Sequence, residues 1–176
     1  MDTRRHPFHP RYRQSRVFPR DGSASSEMAA PVEVVWEVLI DFERYPDWNV
    51  FTPRVETRVR VGSPVRLQVD MPGRSRRTRT EWINLVEPHR TICWGLHIGH
   101  PGLLCANRWQ ELHELEDGRT RYVTTEGFSG LLAPLVMVLY AQAMRQGFQS
   151  VADGLSVADG LKERAASAWI CLATQT

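Results

Sequence analysis

Two carboxylates and one phenol stand out among the side chains able to move a proton. Cys105, Asn107, Trp109 and Glu111 form one run, and Tyr122, Thr124 and Glu126 form another. Each run has the every-other-residue spacing that places side chains on one face of a β-strand. Trp109 and Tyr122 imply that both faces turn inward. A carboxyl group held beside apolar walls has a raised pKa and serves as a general acid or base near neutral pH. Glu111, Tyr122 and Glu126 are therefore the expected proton-transfer groups. The competing reading leaves one or both carboxylates exposed or paired with arginine. Other chemistries find less support. His97 and His100, with His89 and His113, follow no zinc-ligand spacing, so no metal is expected, although His97 is a candidate proton shuttle. Ser129 is not in a nucleophile elbow, and Gly99–Gly102 lacks the spacing and lysine of a phosphate loop. No cofactor is expected.

The elements that would position these groups follow from periodicity. Ser23–Met28 reads as a weak, polar strand, and Ala30-Pro31 places proline at a helix start. Val32, Val35, Trp36 and Leu39 recur at helical spacing, and the segment DFERYPDWN (Asp41–Asn49) reads as a second short helix or turn. Period-two alternation then predicts strands through Val55–Val61, Val65–Val69, Thr78–Val86, Arg90–Ile98, Leu104–Leu115 and Arg119–Gly127. Asp117-Gly118 is a hairpin signal. A long helix is predicted from about Leu131 to Ala165. Within it the hexapeptide SVADGL occurs twice in succession, at Ser150–Leu155 and Ser156–Leu161, which rotates the apolar stripe beyond the junction. Either the helix projects past the sheet, or Gly154 and Gly160 absorb the change. The order of elements is strand, two short helices, six strands and one long helix, an α+β arrangement with helices on one face of an antiparallel sheet.

Composition bounds the function classes. The chain has 176 residues, 42% hydrophobic and 24% charged, the balance of one globular domain. The longest apolar stretch, Leu131–Tyr140, is interrupted by Pro134 and falls far short of the ~20 residues that span a bilayer. Integral membrane contact is therefore not expected. Cys93, Cys105 and Cys171 are odd in number and read as free thiols of a reducing compartment. No secretory signal is read at the start, so the cytoplasm is the expected location. Residues 1–22 carry six arginines against two aspartates, and the remainder has a net charge of −2. This arginine-rich tail reads as a solvated extension; docking on a membrane or an acidic partner is the alternative. The mildly acidic remainder disfavours nucleic acid as a partner.

Several strings together resemble the SRPBCC or START-like superfamily of helix-grip proteins, in its polyketide cyclase/dehydrase-like branch. They are APVEVVWEVL (Ala30–Leu39), DFERYPDWN (Asp41–Asn49), Glu87-Pro88, Trp94, DGRTRY (Asp117–Tyr122), EGFSG (Glu126–Gly130) and Gly147-Phe148. The resemblance covers about residues 23–166, leaving 1–22 and 167–176 as tails. It implies a curved antiparallel sheet of about seven strands wrapped around a long C-terminal helix, with a mostly apolar cavity between them. It also places Tyr45, Trp48 and Asn49 at the cavity mouth, where they either touch a ligand or plug the end of the core. Trp94, Asn107, Trp109, Thr124, Phe128, Leu135, Leu139 and Tyr140 are the further expected ligand contacts. The fold alone does not fix an activity. The expected function is binding of a small hydrophobic molecule, lipid- or polyketide-like, by a monomer or homodimer. The alternative is a cyclase or dehydratase that folds a flexible chain and moves a proton through Glu111, Glu126 or Tyr122.

Overall fold

Alternation of apolar and polar side chains becomes seven strands in one antiparallel sheet. The computed structural model describes residues 23–173 other than Pro101, with side chains to residue 158; the tail expected at 1–22 lies outside the described residues. The strands are β1 (Ser23–Met28), β2 (Arg54–Glu56), β3 (Pro64–Val69), β4 (Arg77–Glu87), β5 (Thr91–Ile98), β6 (Leu104–Glu114) and β7 (Thr120–Ser129). Their spatial order is β1-β7-β6-β5-β4-β3-β2, every neighbouring pair antiparallel. Two short helices, α1 (Val32–Ile40) and α2 (Tyr45–Trp48), follow β1 with a 3-10 turn between them, and α3 (Ala133–Ala173) closes the chain. This is the α+β helix-grip arrangement.

Two sequence expectations change in detail. The alternating run Val55–Val61 pairs only over Arg54–Glu56, and Val59 and Val61 are exposed. The long helix runs to Ala173, unbroken through both copies of the repeated hexapeptide. Gly154 is not a hinge: a Cβ there would collide with the Trp48 carbonyl, so this glycine lets α2 approach α3. Val151 in the first copy is fully buried, whereas Val157 in the second is 64% exposed.

The concave face of the sheet is read from its register. Ala106, Arg108, Gln110 and Leu112 on β6 lie opposite Phe128, Glu126, Thr124 and Tyr122 on β7, and opposite Leu96, Trp94 and Ile92 on β5 where those strands pair. Directly opposed residues share a face. That face packs on α3, where Phe148, Val151, Ala152 and Leu155 are fully buried. Each large side chain so buried contributes about 1.5–3 kcal/mol. The polarity of β1 also has a cause: Ser26 donates its hydroxyl to the Ala152 carbonyl (2.8 Å), tying this edge strand to the helix.

Candidate functional site

Where the first turns of α3 cross β3–β6, the helix and sheet separate and leave a cavity of about 560 Å³. Its apolar wall comes from Phe51, Val69, Met71, Leu96, Leu104, Ala106, Phe128, Val136 and Met144. Its polar lining comes from Glu126 on β7, Tyr140 on α3, His97 on β5 (the expected proton shuttle), and Arg74, Ser75, Arg77, Thr78, Arg79 and Thr80 from the β3–β4 hairpin. Apolar walls with placed polar groups are the usual composition of a small-molecule site.

The arginines face inward because of hairpin register. Arg79 opposes Leu67 and Arg77 opposes Val69, and both of those β3 residues are buried. Glu81 shares that face and is buried, paired with Arg79 at 2.8 Å. Burial, reinforced by the charge of Glu126, raises the Glu81 carboxyl from the ordinary 4.5 to about 7, against the pull of Arg79 and Arg108. A carboxyl group in that range exchanges protons readily at neutral pH.

Arg108, one position deeper than the cavity-lining Ala106 face, is buried without a carboxylate bonded to it. Its Nε and Nη1 donate to the hydroxyls of Thr124 and Thr52, each at 3.3 Å, and its guanidinium lies 4.8 Å from the Phe148 ring centre. Nη2 has no hydrogen-bond partner, and neither does Gln110 Nε2 or Trp48 Nε1. The Tyr122 hydroxyl donates to Gln110 Oε1 at 2.8 Å, and burial raises the Tyr122 phenol above its ordinary value.

The expected site residues divide into four groups. Glu126, Phe128 and Tyr140 line the cavity. Tyr122, Thr124 and Trp94 point to the same side but lie in the filled core, all at or below 2% exposure. Tyr45, Trp48 and Asn49 do not form the mouth. Tyr45 donates to the Leu39 carbonyl (2.7 Å), its ring packs edge-on against Trp48, and Asn49 Oδ1 accepts the Thr52 N–H (2.7 Å). They plug the core at the α2 end. Asn107, Trp109 and Glu111 lie on the opposite, convex face of the sheet, because Glu111 opposes Val123 and Asn107 opposes Gly127. Both carboxylate-bearing runs cannot face inward, since they sit out of phase across the β6–β7 pairing. Leu135 and Leu139 point away from the cavity and are exposed.

Glu81, Arg79 and Arg108 were not legible as site residues. The β4 face Arg77-Arg79-Glu81 reads as a solvated edge, and the Trp109 face of β6 looks more apolar than the face bearing Arg108 and Gln110. The signal that finds them is register: fixing Val65, Leu67 and Val69 inward carries their β4 partners inward as well. Among the described residues, no group of three metal-ligating side chains converges. His100 instead accepts the Gly102 N–H within its turn (3.1 Å), and His89 meets the edge of Trp36.

The profile described as "Polyketide cyclase / dehydrase and lipid transport" matches residues 20–158. The chain belongs to that family. Among solved structures, the Zhui aromatase/cyclase of Streptomyces sp. R1128 is similar at 23% identity and TM-score 0.67, over 82% of this chain and 95% of that one. A START superfamily protein from Mycobacterium smegmatis aligns at 18% identity and TM-score 0.60, over 79% and 96% of the two chains. A norcoclaurine synthase from Thalictrum flavum aligns at 13% and 0.61, over 80% and 94%. Among curated protein sequences there is no significant match. These likenesses agree with the polyketide cyclase/START-like fold of the chain.

Proposed function

We propose that the protein binds a small, predominantly apolar molecule in the cavity between the β3–β6 face and the start of α3. The observation that carries this reading is the cavity itself: about 560 Å³ walled by aromatic, aliphatic and thioether side chains together with arginine, threonine, histidine and carboxylate groups. The test is native mass spectrometry of the purified protein incubated with a small-molecule extract of its source. A bound compound released at unchanged mass is the expected result. Val136→Trp, which fills the cavity, should abolish the adduct; an adduct that survives this change would place binding elsewhere.

A second reading has its own observation. Glu126 stands on the cavity wall, and Glu81 behind it holds a carboxyl raised to about 7. In a cyclase or dehydratase, Glu126 would take a proton from carbon or return one to a departing hydroxyl while the walls bring the reacting carbons together. Glu126→Gln should then eliminate turnover, read as loss of one water from the bound compound, while leaving affinity within a few fold. Parallel loss of binding and turnover would remove Glu126 from that role.

A further inference from the structure

The outer face of α3 changes character along its length. After residue 139 it carries Gln142, Arg145, Gln146 and Gln149, as a solvated helix face should. Before that point it carries Leu135, Val138 and Leu139, all exposed, with Val138 at 83%, and Leu131 in the turn just before the helix is exposed as well. The three helical residues fall within one side of the helix, opposite the buried positions Ala133, Met144 and Phe148. The patch continues onto the β5–β6 turn. Leu131 and Leu132 donate their N–H groups to the carbonyls of Gly102 and Leu103 (3.0 and 2.9 Å), and Leu103 and Ile98 are themselves exposed. Six of the ten exposed large apolar side chains among the described residues thus gather at one end of the molecule. Concentration on that scale marks an interaction surface.

The same end holds uncompensated positive charge. The β3–β4 turn and the β5–β6 turn lie at one end of the antiparallel sheet. Arg74 reaches from the first of these turns to α3, donating to the Leu139 carbonyl at 3.1 Å with its guanidinium 4.2 Å from the Tyr140 ring centre. Neither partner is anionic. Arg77 has no acidic partner among the described residues, and Asp70 is occupied in a two-pronged pair with Arg76. Arginines and leucines are therefore contiguous, and Arg74, Arg77, Ile98, Val136 and Tyr140 also line the cavity. An apolar face rimmed by guanidinium groups fits a surface that is apolar at depth and anionic at its boundary.

We propose that this end of the protein docks on an anionic lipid bilayer, with the α3 leucines and valine among the acyl chains and Arg74 and Arg77 at the phosphate level. No described helix is long and apolar enough to cross a membrane, so the association is peripheral. The cavity opens within the docked patch, giving an apolar ligand a route between bilayer and protein that avoids water.

The test is flotation of the full-length chain with vesicles of phosphatidylcholine alone and of phosphatidylcholine mixed with phosphatidylglycerol, alongside its oligomeric state by analytical ultracentrifugation. The expected result is capture by the anionic vesicles, little capture by the neutral ones, and loss at high salt. Leu135→Glu with Val138→Glu should weaken capture at least about tenfold, and Arg74→Gln with Arg77→Gln several-fold. These side chains are exposed, so circular dichroism should be unchanged. Absence of capture overturns the proposal. So does capture unaffected by the paired glutamates, which would assign it to another surface such as the arginine-rich residues 1–22. A dimer that the paired glutamates split into monomers would give the face to a second copy of the chain and equally overturn it. Ligand binding is read separately by mass spectrometry, so failure here leaves the cavity reading standing.

Discussion

One helix does two different jobs along its length. From Met144 to Leu155, α3 presses Phe148, Val151, Ala152 and Leu155, all fully buried, toward β1 and β7. From Ala133 to Tyr140 it stands off the sheet over β3–β5; beyond the buried Ala133, only Val136, Met137 and Tyr140 turn partly inward. The difference arises from the facing strands. The packed half meets Trp48, Phe51 and the buried Arg108 and receives the Ser26 hydrogen bond, while the open half faces Arg77 and the Arg79–Glu81 pair. Arg77 and Arg79 stay solvent-exposed there, whereas Arg108 under the packed half is buried with its Nε and Nη1 donating to threonine hydroxyls. Stability is concentrated in one half, and the room for a ligand in the other.

The largest expected effect is in the packed half. Phe148→Ala removes a fully buried ring that touches Phe51 and Arg108, and should cost about 3–5 kcal/mol in urea denaturation. A cost below that of an ordinary surface change would mean the two halves are not distinct.

The next effect tests the charged floor through pH. The Glu81 carboxyl binds protons more tightly in the folded than in the unfolded chain, 4.5 rising to about 7, so the folded state loses stability as pH rises through that window. Glu81→Gln should abolish this slope and leave the protein up to about 3 kcal/mol more stable above neutral pH. An unchanged slope in the variant would assign the titration to another group.

Gly147→Ala sharpens the boundary between the halves. A Cβ at Gly147 would overlap the Phe51 ring, which both covers Phe148 and lines the cavity. The expected cost is about 1–3 kcal/mol, with altered ligand affinity because Phe51 must shift toward the open volume. The smallest stability effect belongs to Val136→Trp, which projects into unfilled space and should change unfolding by less than about 1 kcal/mol while lowering ligand affinity at least about tenfold. Equal affinity would show that the bound molecule does not occupy the cavity.

The fold was legible in the sequence because each element carries its own period and its own punctuation. Strand alternation, Asp117-Gly118, and the run from Leu131 onward predict the order of elements that the structure has. The site was legible only in part. Glu126, Phe128 and Tyr140 fall on the wall, but alternation defines two faces without saying which is inner. On β6 the tryptophan pointed to the wrong one, because the true inner face contains Arg108 and Gln110, each bonded in part by Thr124, Thr52 or Tyr122 from other segments. On β4 an open cavity permits an inward charged face, reversing the usual rule that charged residues look outward. Both facts are set by relations between strands, which no single run of residues records.

The doubled SVADGL hexapeptide makes a controlled comparison within one chain. The same valine is sealed in the core at position 151 and open to solvent at 157, although the helix backbone continues through both. Exchange of Val151 should therefore cost far more stability than the same exchange at Val157. The second copy lengthens the helix with one side chain in solvent and another, Ala158, still resting on the core.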